Sequence, residues 1–353
     1  MLGRAFVAAA LCVWCCSLCA AAEAAQPAAA EPTIEIVFVG DVMLDDGPGR
    51  VIARGGDPFA EFAAIFDRAD LAIGNLECVV ATGGQAEDKP WYFRAHPRCL
   101  PLLTRYFDAV GIANNHSGDY GKEALREQCE LFEKAGLPYF GGGRDRAAAH
   151  RPAILRRNCV WVALLAYNDF PPKRFAAGDN SPGVAWIDEA AMLRDIRRAR
   201  EEEQADVVIP LLHWGVEGDL HPEAEQVALA RRLIDGGADA VIGAHPHRVQ
   251  DIETYRGKPI FYSLGNFVFD GFDTQHGKTG GVARLKVGRH GVLSWEMLTA
   301  RLDDRGVPHL EADQPCPMPN ATGSARTGAC VTQDAGPTGC APRICPGNRL
   351  RRR

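Results

Sequence analysis

Short apolar runs recur along this chain and alternate with segments of helical periodicity, which restricts the fold more than any single motif does. Ile34–Val39, Leu71–Ile73, Ala109–Ile112, Cys159–Leu165, Val207–Leu212, Ala240–Ile242 and Pro259–Ser263 are rich in apolar and β-branched residues. Several of these runs are nearly unbroken rather than alternating, as expected of strands covered on both faces. Between them, Asp57–Ala69, Leu100–Phe107, Gly121–Ala135, Asp188–Glu203 and Glu223–Asp235 read as helices. Gly136 closes one and Gly236–Gly237 another. Val282–Val287 and Val292–Leu298 read as an antiparallel pair. This repetition predicts an α/β fold with helices on the faces of its sheets.

The two ends have a different character. Arg4, the apolar run Ala5–Ala22 and the small-residue site Ala22–Ala24 make residues 1–25 a secretion signal. An uncleaved N-terminal anchor is the alternative, because the run, roughly 18 residues, is at the lower limit for crossing a bilayer. Residues 26–32 read as a spacer and 33–311 as one folded domain. Residues 312–353 read as a disordered Cys/Pro/Gly-rich tail with a basic end, Arg349–Arg353. Cys78, Cys99, Cys129 and Cys159 fall in the domain, and Cys316, Cys330, Cys340 and Cys345 in the tail. Their spacing matches no zinc knuckle, and an exported chain can oxidise them. The net charge of -6 gives no electrostatic case for nucleic-acid binding.

Polar residues gather just after the predicted strands, at the sheet edge where α/β proteins bind ligands. Asp41 follows the first strand, where a carboxylate either binds a cation through oxygen or caps a turn. Asn75 and Glu77 follow the second, with the same two readings. Asn114, Asn115 and His116 follow the third; an Asn carbonyl suits a cation site and His116 suits proton transfer, although paired Asn residues also cap helices. His213 leaves a fully apolar strand, a position poorly explained as core, and Glu217 beyond it can orient an imidazole. His245 and His247 flank Pro246, and two imidazoles at that spacing reach one metal or two neighbouring ones. Asn266 closes the series as a ligand, a substrate contact or a turn residue.

The order of these motifs resembles the calcineurin-like metallophosphoesterases. Gly40–Leu44, Gly74–Glu77, Ala113–Gly121, Leu212–Glu217, Gly243–His247 and Tyr262–Phe267 are more specifically similar to the CapA family of poly-γ-glutamate capsule biosynthesis proteins. The resemblance implies a four-layer α/β/β/α sandwich. It implies one or two divalent metals (Mn, Fe, Zn or Mg) held by Asp41, Glu77 (or Asn75), Asn115, His213, His245 and His247. His116 then stands at the proton-donating position, and the attacked centre is phosphoryl or acyl. Asn75, Asn114, Glu217 and Asn266 are left for substrate contacts or for supporting the ligands. The chain departs from the phosphoesterase pattern at Met43, where a histidine is expected. A thioether is a poor ligand for these metals, so one position is a ligand short unless Glu77 or Glu217 compensates.

The function so implied is that of an exported cell-envelope protein, periplasmic, extracellular or membrane-anchored, acting in capsule synthesis with a metal hydrolase or transferase site. Its expected partners are an anionic envelope polymer or a phosphoester, together with other capsule-synthesis membrane proteins. A largely non-catalytic polymer-assembly component and an exported phosphoesterase are the alternatives.

Overall fold

The computed structural model describes residues 31–311. The signal or anchor, most of the spacer and the tail lie outside the described residues. Fourteen strands build two large sheets: β1 (Thr33–Val42), β2 (Leu71–Leu76), β3 (Ala109–Gly111), β4 (Tyr139–Phe140), β5 (Ala153–Arg157), β6 (Val160–Asn168), β7 (Val207–His213), β8 (Val241–Ala244), β9 (Ile252–Tyr255), β10 (Lys258–Phe261), β11 (Asn266–Val268), β12 (Thr279–Gly288), β13 (Gly291–Leu302) and β14 (Pro308–Leu310). The first sheet runs β14-β13-β12-β1-β2-β3-β4, with β11 also paired to β1; the second runs β9-β10-β8-β7-β6-β5. The strands β1, β2, β3 and β4 are parallel, as are β6, β7, β8 and β10. Antiparallel strands close both edges of the second sheet and one edge of the first, whose other edge is the parallel strand β4.

Alternation along each strand divides its side chains between two apolar layers. Ile34, Ile36 and Phe38 of β1 meet Val160, Val162 and Leu164 of β6 and Val207 and Ile209 of β7 in a core between the sheets. Val37 and Val39 face the other way, into a core closed by Phe66 of α2 (Ala63–Arg68), Leu103 of α3 (Leu100–Tyr106) and Phe132 of α4 (Gly121–Ala135). Ala163, Leu165 and Val208 likewise face Met192 and Ile196 of α6 (Glu189–Glu201) and Leu233 of α7 (Ala224–Asp235). The layers therefore run helix, sheet, sheet, helix. Because both sheets are sandwiched, their central strands are apolar on both faces and read as unbroken runs.

The expected helix over 57–69 is instead a turn, a 3-10 turn at Ala60–Phe62 and the short α2. Its apolar spacing is that of Phe59, Phe62 and Phe66 packed in the core rather than of a continuous helix. An unexpected helix, α1 (Asp46–Ala53), contains Gly47, Pro48 and Gly49, which mask its periodicity. A fifth helix in chain order, α5 (Arg146–Ala149), is a single turn. Asn266 opens β11 rather than following a strand. Cys78, Cys99 and Cys129 are free and buried, whereas Cys159 is disulfide-bonded. No helix among the described residues is long and apolar enough to cross a membrane.

Candidate metal centre

The site lies where the carboxyl ends of the parallel strands from both sheets meet. Asp41 is the penultimate residue of β1, at a register break against both β2 and β11 that re-aims its side chain. Its backbone N–H donates to the Gly265 carbonyl at 2.9 Å. A Cβ on Gly40 would lie 1.9 Å from that carbonyl oxygen, so the approach requires glycine. Across the site, Gly243 plays the same part against the Tyr262 carbonyl, 1.8 Å from a hypothetical Cβ. His245 and His247 then adopt positive φ values of 98° and 52°. Such conformations cost roughly 1–3 kcal/mol each outside glycine and persist where surrounding structure imposes them, often at functional sites.

These loops bring the expected ligands together. Glu77 is the hub: its Oε1 lies 3.5 Å from His213 Nε2, 3.8 Å from His247 Nε2 and 4.0 Å from His116 Nε2. Asp41 Oδ2 is 3.4 Å from His247 Nδ1. His213 Nε2 is 2.7 Å from Asn115 Oδ1 and 3.1 Å from His245 Nδ1. Ligand atoms of Asp41, Glu77 and His247 lie within 4.8 Å of one another, as do those of Glu77, His213 and His245. Glu217, His245 and His247 form a third such set, although Glu217 is exposed. These carboxylates and imidazoles are a donor set that could hold a divalent cation.

The supporting residues are equally explicit. Asn75 donates to Asp41 Oδ1 at 2.8 Å and to His213 Nδ1 at 3.3 Å. Its own carbonyl accepts from Asn114 at 3.2 Å. Asn75 is thus tied into the scaffold, which leaves Glu77 as the better ligand of the pair. Asn114 also donates to the Leu76 carbonyl and accepts from the His116 N–H, fixing the turn that presents His116. Asn266 Oδ1 lies 2.8 Å from His247 Nδ1 and orients that ring. Met43 is fully buried in the helix-side core, with its sulfur accepting from the Asp45 N–H at 3.1 Å. The first motif therefore contributes Asp41 alone.

The electrostatics show how unusual this cluster is without a cation. Burial, followed by the charge of Asp41, pushes the Glu77 carboxyl well above its ordinary range. Both Glu77 oxygens and His245 Nε2 are buried without a hydrogen-bond partner. An orphaned buried carboxylate is costly, and a cation beside Glu77 would give that carboxylate a partner. Burial, reinforced by neighbouring imidazoles, holds His213 and His245 well below the ordinary imidazole value. At neutral pH they are uncharged, the state in which imidazole binds metals. Burial opposes protonation of His247 too, but Asp41 and Asn266 together raise its pKa.

Residues outside the sequence-derived set complete the site. Asp119 Oδ2 lies 2.6 Å from His116 Nδ1, turning Nε2 toward the centre. Lys89 pairs with Asp119 and donates to the Asn115 carbonyl at 3.0 Å. Phe93 packs at a tilt against His116, with ring centroids 4.5 Å apart, and Phe170 likewise against His245 at 4.2 Å. The His116-to-Asp119 spacing within one turn could have pointed to Asp119. No periodic signal marks Lys89, Phe93 or Phe170, which sit in irregular loops.

The family model described as Bacterial capsule synthesis protein PGA_cap matches residues 35–271. The PGA biosynthesis protein CapA of Bacillus subtilis (strain 168) is 35% identical over 239 residues, covering 66% of this chain and 62% of that protein. The capsule biosynthesis protein CapA of Bacillus anthracis is 31% identical over 246 residues, covering 67% of this chain and 60% of that protein. The chain thus spans about three fifths of the length of these curated relatives. Among solved structures it is similar to the Haemophilus influenzae NAD nucleotidase, at 11% identity and a TM-score of 0.44, over 79% of this chain and 53% of that one. Matched by that family model over most of its length, the chain belongs to the bacterial capsule synthesis PGA_cap family.

Proposed function

We propose that this chain is an exported capsule-synthesis protein whose centre holds one or two divalent cations and hydrolyses or transfers a linkage in an anionic cell-envelope polymer. The observation that carries the reading is Glu77, a fully buried carboxylate with both oxygens unpartnered, facing three imidazoles. A structural carboxylate would have been given hydrogen bonds. Asp41, Glu77, Asn115, His213, His245 and His247 are the residues to hold the cations, with Glu217 in reach of His245 and His247. When bound, such ions polarise the group under attack and lower the pKa of water.

The chain's own residues supply the rest. His116 presents Nε2 to the centre and hands a proton to the departing atom; Asp119 holds the ring in that orientation. Asn75 and Asn266 fix the metal-facing groups. The buried rings of Phe93 and Phe269 limit water at the histidines. The capsule-synthesis names of its relatives, together with the signal-like N-terminal sequence, support export and an anionic polymer as partner.

One observation favours a second reading, a polymer-assembly component with little chemistry: Met43 removes one expected ligand from the first motif. Metal analysis joined to turnover separates the two. The catalytic reading expects bound Mn, Fe, Zn or Mg in the purified chain, and loss of turnover in His116→Ala with the metal retained. Full capsule-forming activity in cells carrying His116→Ala would instead favour the assembly component.

A further inference from the structure

Arg248 brings to the edge of the metal centre a charge that the fold leaves unanswered. It follows His247 directly, and a bridge between Val249 and Leu264 fixes the backbone beyond it. Gly265 packs so closely here that a Cβ would lie 3.1 Å from the Arg248 carbonyl carbon. The side chain is partly buried and donates through Nη1 to Thr274 Oγ1 at 2.6 Å. Thr274 lies two residues past Phe272, whose ring packs on His247 with centroids 5.0 Å apart. Guanidinium and imidazole thus share one covering loop.

A threonine hydroxyl is neutral, and among the described residues no carboxylate pairs with Arg248. The neighbouring cations differ. Lys89 is met by Asp119, Arg174 by Glu87 and Lys278 by Asp304. Lys173, beyond Phe170, has no ion pair, but its charge is felt by Asp169 and it lies 5.9 Å from the centre of the Trp186 ring. Arginine carries five N–H donors in a rigid fork that matches the paired oxygens of a carboxylate or phosphate. Thr274 engages one terminal nitrogen of that fork.

Resting on the metal-centre reading above, we propose that Arg248 is a specificity-determining residue of this site, gripping a substrate oxyanion, carboxylate or phosphate, that is separate from the linkage held at the cations. The preferred substrate then carries a second negative group beside the reacting one. Arg248 makes and breaks no bond; it sets which linkage of the substrate stands at the centre.

The test measures binding by calorimetry to the full chain loaded with Mn²⁺ or Zn²⁺. The probes are succinate, glutarate and adipate, each paired with its monoacid of equal length, butyrate, valerate or hexanoate. One carboxylate is available to the cations in both members of a pair, so the difference reads the second. At least one diacid should bind about tenfold or more tightly than its monoacid, the lower end for hydrogen bonds to a charged group. Arg248→Met should erase most of that margin with metal content and monoacid affinity unchanged, and Arg248→Lys, which keeps charge but loses the fork, should fall between. Should Arg248→Met not fold, Arg248→Lys decides. Thr274→Val, which removes the hydroxyl and leaves the guanidinium, should keep the margin. A margin that survives both Arg248 variants overturns the proposal, as does its loss in Thr274→Val, which would make Arg248 only an anchor for the loop. Exchanging glutarate for 3-phosphonopropionate identifies the oxyanion: a wider margin assigns phosphate, a narrower one carboxylate, and either supports the proposal. A chain that takes up no cation defeats the metal-centre reading and this one with it. A metal-loaded chain with no diacid margin defeats only this one.

Discussion

Replacing Glu77 by glutamine separates two opposing effects of its position. In the metal-free protein, burial and then Asp41 push this carboxyl well above its ordinary value of 4.5. Keeping it protonated at about pH 7.5 costs at most about 4 kcal/mol, roughly three pH units at about 1.36 kcal/mol each. The direction follows from linkage. An acid raised in the folded state contributes stability below its ordinary range, and that stability is lost as pH rises toward the folded value. Chelated Glu77→Gln should therefore melt above chelated wild type at about pH 7.5, and should lack the wild type's added decline above about pH 5. Adding cation reverses the order. At about 100-fold excess over Kd, wild type gains about 2.7 kcal/mol, or roughly 5–10 °C for a domain of this size, while the variant gains little. Calorimetry of EDTA-treated protein with and without Mn²⁺ or Zn²⁺ reads both effects. Equal cation-induced shifts in the two proteins, or a chelated variant less stable than wild type throughout, would refute the reasoning.

Other outcomes follow from the same geometry. His116→Ala should lower turnover by roughly 10²–10⁴-fold with bound metal unchanged by mass spectrometry. His247→Ala, which removes a group close to both Asp41 and Glu77, should lose metal along with activity. Burial depresses the pKa of His213 and His245, so their neutral forms contribute stability above about pH 6.5 that is lost as pH falls toward their folded values. The denaturation midpoint of the chelated protein should drop on acidification through that window, and less so in His245→Gln. Gly40→Ala, which forces a Cβ to within 1.9 Å of the Gly265 carbonyl, should cost more than about 3 kcal/mol or prevent folding, as read by soluble yield and melting temperature.

Much of this was legible in the sequence because parallel strands under two layers leave an unmistakable trace. The run Val207–Leu212 has no solvent face, and a histidine at its exit had to point somewhere other than core. His213 does, into the cluster with Glu77 and Asn115. The helix Gly121–Ala135 ends on Gly136 at φ 68°, as its sequence requires. Asp41, His245 and His247 were legible for the same reason as His213: each lies at or just past the carboxyl end of an apolar strand. Legibility ended where contacts depend on irregular loops. Lys89 reaches Asp119 across 30 positions of sequence along a segment without periodicity. The phenylalanines packed on the histidines come from separate loops, each ring looking in sequence like ordinary core. Glu77 and Asn75 were interchangeable as candidates until hydrogen bonds showed Asn75 committed to Asp41 and Asn114.

An anomalous-diffraction map collected at a metal absorption edge on crystals of the purified chain bears most directly on whether these side chains surround a cation. A peak is expected within about 2.0–2.6 Å of a Glu77 oxygen and of nitrogens from at least two of His213, His245 and His247. A map from metal-supplemented crystals with no peak there, and with water against the Glu77 carboxyl, would contradict it.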